Sequence, residues 1–160
     1  MTNTQLTDHF YSAFQKLDYA SMQACYATDA VFQDPIFGLL NSEEVKAMWE
    51  MLCQNAQDFS LSFSDIKTTD AEYASCRWIA TYTFSATGRK VVNDIQAHLK
   101  IQNGKIVEHT DYFHFWKWSR QALGISGWLL GWTDFFRAKV SYRAKKNLLK
   151  FMLSKNNSKR

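Results

Sequence analysis

His109 and Asp111 are the residues whose types and spacing most directly suggest chemistry. The segment from Lys105 to Phe113 has the alternation of a β-strand, which puts Val107, His109, Asp111 and Phe113 on one face. A histidine and a carboxylate on neighbouring positions of one face form either a base with its orienting partner or two acid/base groups with separated pKa values. The alternative is a pair that is hydrogen-bonded to tyrosines or backbone and does no chemistry.

Asp34 is the third candidate for acid–base chemistry. It ends the extended stretch 31–33 and precedes Pro35, which disfavours a helical conformation at the residue before it. Burial in an apolar cavity raises the pKa of a carboxyl group, so that it can accept a proton near neutral pH. An aspartate at the end of a strand also acts as a turn residue that accepts backbone N–H groups. The sequence leaves both roles open.

A set of aromatic and amide side chains could line a ligand pocket. Singly, each of them is as well explained as a core residue, because tryptophan and tyrosine fill volume and satisfy their polar atom locally. Together they are predicted to form the wall of one pocket: Phe14, Tyr26, Trp49, Trp78, Tyr82, Asn93 and Phe113. The chain has no His-x-x-x-His pair, no cysteine pair and no glycine-rich phosphate loop, so we expect neither a metal nor a cofactor.

The elements that must position these residues are helices first and strands afterwards. Apolar residues at three- and four-residue steps predict a first helix from Leu6 to Leu17, and Asp18 is placed to cap a second helix that carries Tyr26. Asn41 and Glu44 have the spacing of a capping box and begin a third helix. From residue 59 to 113 the period changes to two, with hairpin turns at 86–89 and 103–104. This succession predicts an α+β domain.

Charge and composition separate the end of the chain from the rest. Of 19 basic residues, nine lie in 137–160 with no acidic residue, so the remainder has ten basic residues against 15 acidic ones. Residues 136, 140, 144, 148 and 152 are apolar or alanine and step by four, which predicts an amphipathic cationic helix. We expect it to pack on the protein or on a dimer partner, with membrane-surface binding as the less favoured alternative.

The acidic body disfavours nucleic acid as a partner. Three widely spaced cysteines and no long apolar run favour a cytoplasmic protein.

Three stretches resemble the ketosteroid isomerase/SnoaL-like/nuclear transport factor two-like superfamily over roughly residues 5–115. They are the region from Asp18 to Pro35, the hairpin at 103–106, and the close of the last strand at 111–113. The resemblance implies a cone-shaped, curved antiparallel β-sheet wrapped around three N-terminal helices, with His109 and Asp111 facing an inner pocket. It also implies that Asp34 matches the base of ketosteroid isomerases and Asp111 the acid or base of epoxide-hydrolase-like members. Homodimers through the outer sheet face are common in the superfamily.

The sequence also departs from the enzymes that it resembles. The tyrosine and the acid that stabilise the oxyanion in ketosteroid isomerases correspond to Phe10 and Ala97, so both hydrogen-bond donors are missing. Tyr11 is about 100° from Phe10 around the helix, which makes it a poor substitute. In the epoxide-hydrolase pattern, Trp78 and Ala80 stand near the positions of an arginine and a second aspartate.

These observations define two main hypotheses and one minor one. The first is a cofactor-free isomerase, cyclase, lyase or hydrolase that acts on a hydrophobic small molecule with Asp111, His109 and Asp34 as acid–base groups. The second is a non-catalytic ligand- or partner-binding module on the same fold, and the third is a membrane-associated adaptor. In each case we expect a cone domain over 1–116 and an aromatic, basic extension over 117–160 packed on it.

Overall fold

The computed structural model describes residues 1–158, which form six helices and six strands. In chain order they are α1 (Asn3–Gln15), α2 (Tyr19–Ala24), β1 (Tyr26–Asp34), β2 (Gly38–Asn41), α3 (Ser42–Gln54), β3 (Ser60–Thr68), β4 (Tyr73–Phe84), β5 (Arg89–Gln102), β6 (Lys105–Tyr112), α4 (Phe115–Leu123), α5 (Ile125–Leu130) and α6 (Asp134–Ser158).

The helix starts follow from local hydrogen bonding. The Asp18 carboxylate accepts from the Ser21 backbone N–H at 3.1 Å and thereby begins α2, as predicted. Asn41 and Glu44 form the predicted capping box at α3 with reciprocal bonds of 3.0 and 2.8 Å. The second helix is shorter than expected, because Tyr26 already belongs to β1.

The six strands form one curved, open sheet in the order β2-β1-β6-β5-β4-β3. Strands β3 to β6 form the predicted antiparallel meander, and Asn103 and Gly104 both have positive φ, at 51° and 70°, as the tight hairpin turn requires. The sheet is mixed rather than wholly antiparallel, since β1 runs parallel to β6. The short strand β2, which the sequence did not indicate, pairs with β1.

The concave face of the sheet packs on α1 and α3, so the predicted α+β fold with three N-terminal helices is confirmed. Odd-numbered residues of β5 from Val91 to Ile101 are buried, and the positions between them lie on the outer face. The prediction for Val107 is wrong. A register shift between β5 and β6 pairs Lys100 with Glu108 but Ile101 with Ile106. Ile106 is therefore buried in place of Val107, which lies at the shift itself.

Helix α4 covers part of the sheet edge. Strand β6 pairs with β5 only from Gln96 onward, which leaves the first half of β5 unpaired on that side. The Gln121 side chain accepts from the Val92 N–H at 2.8 Å and donates to the Val92 C=O at 3.0 Å, as a neighbouring strand would. Phe115, Trp118 and Ala122 of the same helix form a second apolar cluster with Val91.

Helix α6 packs on α3 through one face. Leu148 is buried, and Lys155 forms an ion pair with Glu50 of α3. The predicted apolar stripe at 136, 140, 144, 148 and 152 is therefore the packed face of this helix. None of the helices within residues 1–158 is long and apolar enough to cross a membrane.

Candidate functional site

His109 lies inside the cone at the centre of a chain of hydrogen bonds. Its side chain is inaccessible to solvent, with Nδ1 2.6 Å from the Tyr26 hydroxyl and Nε2 3.1 Å from Asp111 Oδ1. The Trp49 indole N–H donates to the same Tyr26 oxygen at 2.9 Å. Because an indole N–H only donates, the tyrosine oxygen accepts from Trp49 and its own O–H is free to donate to Nδ1. When the Tyr26 O–H donates to Nδ1, a neutral imidazole carries its proton on Nε2, which faces Asp111.

Asp111 is buried with His109 on the inner face of β6, as the resemblance implied. The Trp78 indole N–H donates to the same oxygen, Oδ1, at 3.4 Å, so one carboxylate oxygen faces two donors. A buried carboxylate is costly unless hydrogen bonds compensate for its lost hydration. The two contacts provide part of that compensation, and they fix the direction of the side chain.

Asp34 ends β1 and is half-buried. Its Oδ1 accepts from the backbone N–H groups of Ile36 at 2.9 Å and Phe37 at 2.5 Å, the geometry of a turn residue. Burial nevertheless raises the pKa of the Asp34 carboxyl to about 7, and the negative charge of Asp111 raises it further against the lowering effect of the backbone donors. The structure thus shows the turn role directly and places the carboxyl where its pKa is raised.

Aromatic rings fill the space around His109. The rings of Phe10, Phe32, Tyr26 and Trp49 have centroids 5.1–6.1 Å from the imidazole. Phe14 packs against both Trp49 and Trp78, at 5.0 and 5.6 Å. Four of the seven expected pocket residues, Phe14, Tyr26, Trp49 and Trp78, therefore lie together around the His109–Asp111 pair.

The other three expected pocket residues lie nearer to the edge of the sheet. The Tyr82 hydroxyl accepts from the Trp118 indole N–H at 2.9 Å, so it also anchors α4. Asn93 is buried on the inner face of β5. Phe113 is half-buried and lines a surface concavity of about 370 Å³ together with Pro35, the residue after Asp34.

Tyr11 is an interior residue that the sequence interpretation set aside. Its side chain is fully buried beside Trp78 and Phe63, and its hydroxyl is one of two buried side-chain polar atoms without a hydrogen-bond partner in the described part of the chain. Burial, and then the Asp111 charge, raise its pKa well above the ordinary value, so the hydroxyl keeps its proton. The signal for Tyr11 was weak, because α1 buries adjacent residues by packing on both α2 and the sheet.

Two surface concavities flank this region, and neither is lined by His109 or Asp111. The first is the one of about 370 Å³ at Pro35 and Phe113, and the second is an open groove of about 600 Å³ lined by Arg89, Lys90, Arg120, Gln121 and Trp128. Over residues 1–158, no group of three or more histidine, cysteine or acidic side chains has the arrangement of a metal site.

A curved open sheet that wraps three helices and holds acid–base side chains inside defines an α+β cone of the ketosteroid isomerase-like type. The family model for the SnoaL-like domain matches residues 7–109, and the chain belongs to this family. No curated protein sequence matches the chain.

Solved structures show the same fold at low sequence identity. A candidate polyketide cyclase from Pseudomonas putida is 22% identical with a TM-score of 0.64, covering 76% of this chain and 98% of its own. IdmH, a candidate polyketide cyclase from Streptomyces antibioticus, is 22% identical with a TM-score of 0.62, covering 76% and 97%. A protein of ketosteroid isomerase-like fold from Catenulispora acidiphila, in complex with trimethylamine, is 10% identical with a TM-score of 0.64, covering 76% and 94%.

Proposed function

We propose that this protein is a cofactor-free acid–base catalyst that acts on a hydrophobic, carbonyl-bearing small molecule. The observation that carries the proposal is Asp34, whose pKa of about 7 leaves it partly ionised at neutral pH, beside a concavity that Pro35 and Phe113 line. A base with a pKa near the working pH is the most effective proton acceptor. This proposal makes Asp34 the main proton acceptor, a role that the sequence alone left open.

The interior offers groups for each step of proton transfer next to a carbonyl. The Asp34 carboxylate takes the proton from the carbon beside the carbonyl, and the electron pair of the broken C–H bond moves to form an enolate. The Tyr11 hydroxyl, which has no hydrogen-bond partner among residues 1–158, is the donor that we propose for the enolate oxygen in place of those missing at Phe10 and Ala97. The hydrogen bond between His109 and Asp111 is a second acid–base contact in the interior.

Two outcomes then balance the reaction without an added reagent. The protonated Asp34 returns its proton at another carbon of a conjugated enolate, which is an isomerisation. Alternatively, the enolate carbon attacks a second carbonyl carbon of the same molecule and the alkoxide that forms takes the proton back from Asp34, which is a cyclisation. The aromatic lining favours an apolar or polycyclic substrate. The candidate polyketide cyclases among the solved structures of this fold support the second outcome.

A non-catalytic binding module is the second candidate. Phe10, Phe32, Tyr26 and Trp49 surround His109 so closely that the pair with Asp111 is satisfied without a substrate. In that case the concavity beside Pro35 would hold a ligand or a partner without any proton transfer. A location in the cytoplasm, where the three buried thiols stay reduced, is part of either proposal.

Deuterium exchange distinguishes the two candidates. The probe is 2-tetralone, a hydrophobic bicyclic ketone, and proton NMR in deuterium oxide follows the loss of its signals next to the carbonyl. The catalyst should accelerate exchange, Asp34→Asn should reduce the acceleration about 100-fold, and the pH profile should rise through about pH 7. Asp111→Asn should lower exchange while fold and ligand binding persist, because Asp111 orients His109 and is not the base that removes the proton. Asp29→Asn, an exposed change in the strand of Asp34, serves as the control.

Ligand-observed NMR on the same samples completes the test. Saturation transfer to tetralone without exchange would support the binding module and refute catalysis. Exchange that is unchanged in Asp34→Asn would refute the part given to this carboxylate.

A further inference from the structure

Large apolar side chains of α5, of the turn after it and of the start of α6 are left exposed. Together we name them the α5 surface; these side chains are between 49% and 81% exposed, and they are Ile125, Trp128, Leu129, Leu130, Trp132 and Phe135. These residues lie beyond the stretch 7–109 that matches the SnoaL-like domain. Exposed apolar patches of several large side chains mark sites of protein or membrane contact.

A cationic groove adjoins the α5 surface. Its lining consists of Arg89, Lys90, Arg120, Gln121 and Trp128, which includes three cations and no carboxylate. Trp128 belongs to both features, so the groove and the apolar surface meet at this ring. The neighbouring concavity adds Lys117 and Arg137, again without a carboxylate.

Arg120 forms no ion pair with a carboxylate among residues 1–158. It lines both concavities, its guanidinium lies 4.3 Å from the centroid of the Trp116 ring, and its Nε is buried without a hydrogen-bond partner among residues 1–158. A buried N–H without an acceptor is unfavourable unless a ligand or water provides one. The Trp116 indole N–H donates to the Trp128 C=O at 3.0 Å, which fixes the arginine and the apolar surface relative to each other.

We propose that this face binds the surface of an anionic phospholipid bilayer. The α5 surface enters the interfacial region, and the cationic groove takes a lipid phosphate on Arg120, Arg89 and Lys90. The combination of exposed tryptophan and leucine with clustered basic side chains is typical of elements that lie on anionic membranes. Tryptophan rings favour this interface because one edge is apolar and the other carries an N–H.

The charge distribution decides between the bilayer and a second copy of the chain. The segment 137–158 carries seven basic residues and no acidic one; Arg137 among them lines the neighbouring concavity, and Lys155 is paired with Glu50. Two such faces in contact would bring like charges together, whereas an anionic bilayer complements them. Helix α6 uses its inner face for α3, so packing on the body and membrane contact involve different surfaces. The lipid contact does not require proton transfer at Asp34 or His109, but the neighbouring concavity is the same one that Pro35 and Phe113 line beside Asp34.

Vesicle co-sedimentation tests the proposal. The probes are vesicles of phosphatidylcholine alone and vesicles of equal parts phosphatidylcholine and phosphatidylglycerol. We expect binding only to the second, weakened by salt and accompanied by a blue shift of tryptophan fluorescence. Lys90→Glu and the double variant Trp132→Ala/Phe135→Ala should each weaken partitioning about 10-fold or more. Lys67→Glu and Leu39→Ala, exposed changes elsewhere, should leave it unchanged.

Four other results would overturn the proposal. They are equal binding to both vesicles, binding to neither, self-association that disappears in Trp132→Ala/Phe135→Ala, and binding to polyglutamate but not to vesicles, which would indicate an acidic protein partner. Inorganic phosphate tests whether the groove binds a free anion instead of a lipid phosphate. A thermal shift with phosphate that is lost in Lys90→Glu, without vesicle binding, would assign the groove to a free anion and also refute the proposal.

Discussion

The ionisation of Asp34 should make the stability of this protein fall as the pH rises from 5 to 7. Burial raises the pKa of this carboxyl from 3.8 to about 7 on folding. Between these values the folded state holds a proton that the unfolded state has lost. The free energy of unfolding therefore decreases by about 1.4 kcal/mol per pH unit. The stabilisation is fully present below about pH 4 and is lost as the pH passes through about 7, which amounts to about 2–3 kcal/mol between pH 5 and pH 7.

Asp34→Asn removes this dependence without removing the turn. The amide oxygen can still accept from the Ile36 and Phe37 N–H groups, but the side chain cannot ionise. Urea unfolding followed by tryptophan fluorescence gives the free energy of unfolding at each pH. Relative to the wild type, the variant should gain about 2–3 kcal/mol between pH 5 and pH 7. Asp29→Asn, an exposed carboxyl of the same strand, is the matched control and should follow the wild type.

Parallel stability curves for the wild type and Asp34→Asn would refute the argument. They would mean that the carboxyl is hydrated in solution and titrates at an ordinary pKa. The proposed base would then be fully ionised at neutral pH, and the acid–base mechanism would lose its main support.

Three further predictions concern the assembly of the domain. Truncation after Trp132 removes α6, exposes the α3 face that Leu148 and Lys155 cover, and should lower the melting temperature by about 10 °C; an unchanged value would show that the helix packs only weakly. We expect a homodimer through the outer sheet face, where Ile79, Thr81, Val92, Gln96 and His98 lie. Light scattering should therefore show a dimer for the wild type and a monomer for Val92→Glu, and a wild-type monomer would contradict the prediction. Gln121→Ala removes both bonds to Val92 and should cost about 1 kcal/mol of unfolding free energy in urea, while Gln33→Ala on an exposed strand position should cost less.

Local signals in the sequence were sufficient wherever a short segment determines its own geometry. The caps at Asp18 and Asn41, the hairpin at Asn103 and Gly104, and the alternation along β5 all depend on neighbours within a few residues. They were enough to predict the fold class and to place His109 and Asp111 on one face. The resemblance supplied the direction of that face.

Features that depend on distant partners could not be predicted in this way. The parallel pairing of β1 with β6 draws Tyr26 into a strand, and nothing near Tyr26 in the sequence signals that pairing. The register shift that displaces Val107 arises between two strands rather than within one. The raised pKa of Asp34 and the unpartnered hydroxyl of Tyr11 depend on burial by several elements at once.

The two hydrogen bonds between Gln121 and Val92 affect where a shortened form of the protein can end. A fragment that stops at residue 109, where the match to the family ends, would lose α4 and leave the first half of β5 as a bare hydrogen-bonding edge. Such an edge recruits strands from other molecules. We therefore expect the excised domain to aggregate at concentrations at which the full chain does not. In the full chain, α4 covers this edge of β5 and prevents fibril-like association through it.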